Sequence, residues 1–397
     1  MQTYLVGGAV RDKLLGYPIY DRDWVVVGAT PAQMLGQGFQ PVGADFPVFI
    51  HPVSGEEYAL ARTERKSGHG YGGFVYHASP DVTLEQDLLR RDLTINAMAE
   101  APDGTLTDPY GGQKDLADHV LRHVSPAFAE DPLRVLRVAR FAARYARLGF
   151  HIADETLALM ETLSTGGELL HLSVERVWQE FERALGETSP GVFIDVLQRC
   201  KALSTLFSEF EPLQRHPAWP ALARDLPALH QTRERFAVLC TAALGVHAVS
   251  SRGTDAQDIR CGIDSLDCHQ IEAFCQRLKA PNAFRDQALL VCRHLGALLR
   301  LPQAGADERL ALACGLDLLR RPERMASLAS CVDCLGSWLD TGTAPARPML
   351  EALHGALTAT SPAQLMQQGF SGKALGDELR RRQQEACAKL EFGDGDA

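Results

Sequence analysis

A chain of 397 residues is long enough for roughly two to four compact units, each with its own core. Apolar residues make up 46% and charged residues 23%, an ordinary globular balance, and no apolar run reaches membrane-spanning length. The formal net charge of −10 excludes a chain coated for indiscriminate nucleic-acid binding, so a nucleic-acid partner would need a local basic face.

The chain enters a strand directly at Thr3-Tyr4-Leu5-Val6, so no leader segment and a cytoplasmic setting are expected. Gly7-Gly8 end that strand and leave backbone N–H groups uncovered, which suits an approaching phosphate. A short helix over Val10–Leu15 stops at Gly16-Tyr17-Pro18. Asp21 and Asp23 then open a second strand, running from Asp23 to Val27. Strand side chains alternate, so the two carboxylates project to one side near the glycine turn. Such a pair suits hard, oxygen-loving cations such as Mg2+, which activate an attacking hydroxyl and neutralise a leaving pyrophosphate. An Asp-x-Asp pair alone is more often a solvated turn; the preceding glycines tip the reading toward chemistry.

Pro31–Gln37 reads as a helix capped by Thr30, and Phe46–Ile50 and Glu57–Ala61 as strands. Glu57 reads equally as a third acid or as a solvent-facing strand residue. From Arg62 to Gly73 a basic stretch runs into four glycines, a loop or the tip of a hairpin. Thr83–Ala99 is predicted as one helix with a Thr83/Gln86 capping box, carrying Arg90-Arg91-Asp92 and placing Asp92 and Asn96 on one face. Residues 1–115 thus read as a small unit on one mixed sheet.

From about residue 116 helical periodicity takes over. Asp131 is the expected N-cap and Pro132 the first-turn residue of a helix carrying Arg134, Arg137, Arg140, Arg144 and Arg147. At about 100° per residue these arginines span an arc of roughly 140°, with Val135, Val138 and Ala142 among the residues opposite. The ridge lacks the interleaved glutamates of an ordinary solvated charged face. Two further helices are expected within 173–210, and proline-rich 212–227 reads as a linker. Gly369-Phe370-Ser371-Gly372 precedes a helix over Ala374–Gln384, and Lys389–Ala397 reads as a frayed end. The ten cysteines all lie from Cys200 onward and read as buried thiols; Cys331-x-x-Cys334 has no partner pair for a zinc site.

The run Leu5-Val6-Gly7-Gly8-Ala9-Val10-Arg11-Asp12, followed by Asp21-Arg22-Asp23-Trp24, resembles the class II tRNA nucleotidyltransferases (CCA-adding enzymes) and the related bacterial poly(A) polymerases, within the polymerase-β-like nucleotidyltransferase superfamily. Arg90-Arg91-Asp92-Leu93-Thr94-Ile95-Asn96-Ala97 is similar to a family signature for ribose and phosphate recognition, and Glu130-Asp131-x-x-Arg134 to its base-reading motif. The resemblance implies an α+β head built on a polymerase-β-like mixed sheet, followed by an all-α C-terminal region. It implies a head over 1–115, a helical neck over 116–210 and a tRNA-binding body and tail over 211–397.

The implied activity is template-independent addition and repair of the 3′ CCA of tRNA from CTP and ATP, releasing pyrophosphate. Asp21 and Asp23 would hold Mg2+, and Gly8 and Arg11 would cradle phosphates. Arg91 and Asp92 would support sugar and triphosphate, Asp131 and Arg134 would read the base, and Arg137 and Arg140 would clamp nucleotide or RNA. A poly(A) polymerase, an enzyme adding only CC or only A, and a non-catalytic RNA-binding paralogue are the alternatives; the intact Asp21/Asp23 pair speaks against the last.

The resemblance is specific up to about residue 210. Some bacterial members carry a metal-dependent phosphohydrolase (HD) domain marked by an adjacent His-Asp pair on a helix. Here Thr241-Ala242 stand at that position, and His230, His247, His269 and His294 have no adjacent carboxylate. The expectation is a degenerate domain without its metal ligands.

Overall fold

The computed structural model describes residues 1–19, 21–42, 48–66, 74–249, 266–342 and 344–392. Its internal contacts divide the chain into Met1–Leu206 and Phe207–Ala397.

The first unit is built on a sheet of seven strands, in the order β3-β4-β5-β2-β1-β8-β9. These are β1 (Gln2–Val6), β2 (Asp23–Val27), β3 (Gln40–Val42), β4 (Val48–Ile50), β5 (Glu57–Leu60), β8 (Ala99–Glu100) and β9 (Leu106–Thr107). The β2–β5 pair is parallel and the other pairs are antiparallel, so the sheet is mixed. Consecutive Val25 and Val26 enter two different core clusters, as the period of two requires. On one face Val25 meets Leu84 and Leu88 of α3 (Leu84–Leu89); on the other Val26 meets Met34 of α2 (Pro31–Gly36). Burial on both faces fixes the register. That register sets Val6, the last residue of β1, opposite Asp23, the first of β2. The carboxylate pair therefore stands beside the glycines by construction.

A hairpin, β6 (Thr63–Lys66) with β7 (Phe74–His77), frames the glycine-rich stretch, whose residues 67–73 lie outside the described residues. The expected strand at Phe46–Ile50 is described from Val48 onward. α1 (Gly8–Leu14) begins two residues earlier than its sequence signals suggest.

The predicted helix over Thr83–Ala99 is corrected. The Thr83/Gln86 capping box forms, but α3 ends at Leu89, and a 3-10 turn (Thr94–Asn96) and β8 follow. Helical bonding is interrupted because the Leu93 N–H turns to the Asp92 carboxylate (2.8 Å) and the Thr94 N–H to the Arg122 carbonyl (2.9 Å).

After α4 (Gly112–Ala117), a two-residue pairing of β10 (Val120–Leu121) with β11 (His151–Ile152) interrupts the region expected to be purely helical. It brackets α5 (Arg134–Tyr145). α6 (Asp154–Thr165), α7 (Val174–Gly186), α8 (Pro190–Arg199) and α9 (Leu203–Leu206) complete the unit.

In the second unit every regular element among the described residues is helical. The stretch expected as a linker forms α10 (Glu211–Arg215) and α11 (Trp219–Asp225), with Leu213, Trp219 and Leu222 buried. Pro212, Pro220 and Pro227 sit in first turns, where the missing N–H costs nothing, and Pro217 lies in the turn between α10 and α11. α12 (Thr232–Val249) follows, then α13 (His269–Arg277), α14 (Asn282–Leu299), α15 (Ala306–Gly315) and α16 (Arg324–Trp338). α17 (Ala346–Thr358), α18 (Pro362–Gln367) and α19 (Gly372–Ala388) end the fold. α19 extends the predicted Ala374–Gln384 helix by two residues at its start and four at its end. Thr241 and Ala242 are both buried on α12. Of the nine cysteines described, Cys314 is exposed and the rest are buried or half-buried.

Candidate active site

The site begins at the turn from β1 into α1. Gly7 has φ +68 and ψ −130, a conformation open in practice only to glycine. A Cβ there would also stand 2.9 Å from Nη1 of Arg91. The glycine thus lets a guanidinium approach the strand end. Behind the turn Arg11 is buried, donating to Asn96 and pairing with Asp12 (2.8 Å), with its guanidinium over the Phe141 ring at 5.2 Å. Arg91 is held by Asp87 (3.2 Å), yet its Nε is buried without a hydrogen-bond partner among the described residues. A buried donor left open at a cavity wall suits an anion.

Asp21 and Asp23 line the same cavity. Among the described residues neither makes an ion pair or a side-chain hydrogen bond. Desolvation raises the Asp23 carboxyl above its ordinary value, the Arg91 charge opposes that, and the Asp21 charge adds to it. Like charges set together without a cation of their own are the donor set a divalent metal satisfies. No cluster of three or more ligating side chains occurs among the described residues. Two carboxylates with substrate phosphates completing the shell is the usual protein contribution to Mg2+. Glu57 pairs with Asp23 in the parallel register but is exposed and does not line the cavity.

The arginine face of α5 forms the opposite wall. The helix starts at Arg134 rather than at Pro132. Asp131 is extended, and its carboxylate accepts the Leu133 N–H at 3.2 Å, closing the turn into the helix. Arg134 is buried and donates to the carbonyls of Ala127 (2.8 Å) and Arg90. Arg137 binds Asp92 at 2.7 Å, and Arg140 binds Glu180 at 2.8 Å and Glu187 at 3.1 Å. Arg144 meets Asp12 at 3.1 Å. The carboxylates missing from the helix sequence therefore arrive from α1, the Asp92 turn, α7 and the segment after it. Arg147 lies beyond the end of α5, exposed and outside the cavity.

Asp92 is the hub. Burial by itself would push its carboxyl up. The Arg137 charge, hydrogen bonds from Asn96 and Arg137, and Arg134 outweigh that and hold it far below the usual carboxylate range. Asn96 donates to it at 2.9 Å, so the predicted Asp92–Asn96 contact forms across a turn rather than along an α-helix.

All ten residues singled out from the sequence line this one cavity of about 780 Å³. Nine arginines face five aspartates in its wall, an excess of four positive charges in a chain of net charge −10. Four of those arginines, Arg90, Arg144, Arg176 and Arg183, and the buried Glu180, gained no individual role from the sequence. Arg176 binds the Asp131 carboxylate at 2.8 Å. The available signal was spacing: Arg176, Glu180 and Arg183 share one face of α7.

A family model described as the "Poly A polymerase head domain" matches residues 3–122, and a second, "Probable RNA and SrmB- binding site of polymerase A", matches 149–214. The chain is 49% identical over 98% of both sequences to the "Multifunctional CCA protein" of Thioalkalivibrio sulfidiphilus. It is 49% identical over 97% of both to the "CCA-adding enzyme" of Pseudomonas putida. The chain belongs to the CCA-adding enzyme family.

Membership in the CCA-adding enzymes makes the chain a nucleotidyltransferase, a group that works with a divalent metal. Its fold matches the Bacillus stearothermophilus CCA-adding enzyme solved with CTP, at a TM-score of 0.65 and 25% identity over 95% of this chain and 87% of that one. It matches the Thermotoga maritima CCA-adding enzyme solved with tRNA at a TM-score of 0.61 and 21% identity, over 99% and 88% of the two chains. No helix among the described residues is long and apolar enough to cross a membrane.

Proposed function

We propose that this chain builds and repairs the 3′ CCA end of tRNA from CTP and ATP, one nucleotide at a time and without a template. One observation carries the reading: a single cavity holds a carboxylate pair that makes no ion pair among the described residues and, facing it, the arginine wall led by Asp131 and Arg134. Asp21 and Asp23 would hold Mg2+, which when bound neutralises phosphate charge and acidifies the attacking 3′ hydroxyl. The turn at Gly8, with Arg11 and the open Nε of Arg91, holds the triphosphate in line. Arg137 and Arg140 neutralise the departing pyrophosphate or the RNA backbone, each kept in place by its own carboxylate. Asp131 offers an acceptor and Arg134 fixed donors to the edge of the base. Asp92 orders Arg137 and Asn96 beneath the sugar. Residues 1–115 serve as head, 116–210 as neck and 211–397 as the part that grips tRNA by shape.

The experiment is incubation of the protein with tRNA lacking CCA, with CTP and ATP singly and together. Complete CCA with both nucleotides is expected. A tail of adenosines alone would make the chain a poly(A) polymerase, and CC or A alone a partial enzyme. Asp21→Ala and Asp23→Ala should each lower addition by at least ~10³-fold with folding retained; near-normal turnover in either variant would end the metal reading.

A further inference from the structure

The C-terminal unit holds a second cationic cavity, of about 530 Å³, to which the proposed reaction gives no role. It lies where α12, α14 and α16 meet. Arg233 comes from the first turn of α12, Arg293 and His294 from α14, and Arg324 and Ser327 from the first turn of α16, with Arg321 just before it. Two carboxylates, Asp286 and Glu323, share the wall with four arginines. Asp286 is already paired with Arg285 (3.0 Å), and Arg293 with Glu272 (3.1 Å); Arg321 only leans on Asp317 (3.8 Å). Among the described residues the guanidiniums of Arg233 and Arg324 make no ion pair or hydrogen bond.

Two of these wall residues carry a buried donor with no hydrogen-bond partner among the described residues: Nε of Arg233 and Oγ of Ser327. Ser327 is 7% exposed, so water does not meet its need from the surface. A buried polar atom without a partner is costly unless something fills the place. His294 reaches the wall because residue 315 is glycine: a Cβ there would stand 2.7 Å from its Cε1.

We propose that this cavity binds a phosphoryl group. Donors on three helices call for a ligand with acceptor oxygens directed tetrahedrally. A planar carboxylate with two oxygens reaches donors in one plane only, whereas a phosphoryl group meets arginine forks and a hydroxyl together. The volume exceeds that of the phosphoryl group, leaving room for the rest of a small phosphorylated molecule or of an RNA backbone.

The test uses the full chain and inorganic phosphate, counted by equilibrium dialysis. The wild type should bind two phosphates, one in each cationic cavity. Arg233→Gln/Arg324→Gln should lose one of them, with affinity at that site reduced at least ~10-fold. Ser327→Ala should weaken the same site about threefold; its hydroxyl has no partner to lose, so this variant folds as the parent does. Equal stoichiometry and affinity in wild type and both variants would overturn the proposal. CTP should displace only the phosphate that survives in the double variant, and a failure there counts against the head reading alone. Displacement of the second phosphate by tRNA assigns the site to RNA backbone, and its persistence assigns it to a small phosphorylated ligand.

Discussion

Asp92 shows how one carboxylate can organise a cationic wall. Asp92→Asn keeps the size and the Leu93 turn but leaves Arg137 without its closest charge. With Arg137 half-buried, the expected loss is about 1–3 kcal/mol in urea unfolding at neutral pH. The folded carboxyl titrates far below its unfolded value of 3.8, so its contribution is complete above that value and fades as pH falls through the folded value. The wild type should therefore show a stability component lost in acid that Asp92→Asn lacks. Identical acid limbs for the two proteins would remove Asp92 from that role.

Asp131 belongs at the same scale. Arg176 and the Leu133 N–H hold its carboxylate in place. Asp131→Ala should change the ratio of CTP, ATP, UTP and GTP incorporated more than it changes tRNA affinity, since a pocket built to hydrogen-bond a base penalises the unpaired group. An unchanged preference would place selection elsewhere.

At the scale of elements, the turn from β1 into α1 joins backbone conformation to chemistry. Gly7→Ala meets an unfavourable φ and the Arg91 guanidinium together. We expect about 1–3 kcal/mol of destabilisation and a raised KM for the nucleotide, because Arg91 must move. A destabilised enzyme with unaltered KM would show that Arg91 does not touch the nucleotide.

The short apolar strands, the glycine turn and the Asp21/Asp23 end were legible in the sequence because their signals are local: period, turn residues and spacing. The helix over Thr83–Ala99 was not, because what stops it is a bond from the Leu93 N–H to Asp92 and another from Thr94 to Arg122, the latter remote in the chain. The prolines of 212–227 misled for a related reason. Proline breaks a helix interior yet opens a first turn, and only the burial of Trp219 and Leu222 distinguishes these cases.

At the scale of the whole molecule, the chain matches a CCA protein relative over 98% of its length, and Thr241-Ala242 stand where some bacterial family members resembled by the sequence have an adjacent His-Asp pair. Thr241 and Ala242 are buried on α12, and the Thr241 hydroxyl finds no partner among the described residues. Neither side chain replaces an imidazole or a carboxylate as a metal ligand. We expect no hydrolysis of 2′,3′-cyclic AMP by the pure protein with added nickel or manganese. Turnover that persists in Asp21→Ala would reveal a second active site.

The sequence by itself determined the chemistry of the head: which residue types occur, in which order, and at spacings that strand and helix periods turn into shared faces. It also determined the arginine face of α5, because a helical period is a local property. Only the tertiary structure decided what that face meets. Asp12, Asp92, Glu180 and Glu187 come from separate segments and convert an apparent surface ridge into the paired wall of a cavity. The physical reason is that periodicity says which side chains point together, whereas charge compensation depends on which distant segments the buried sheet and helices bring within reach.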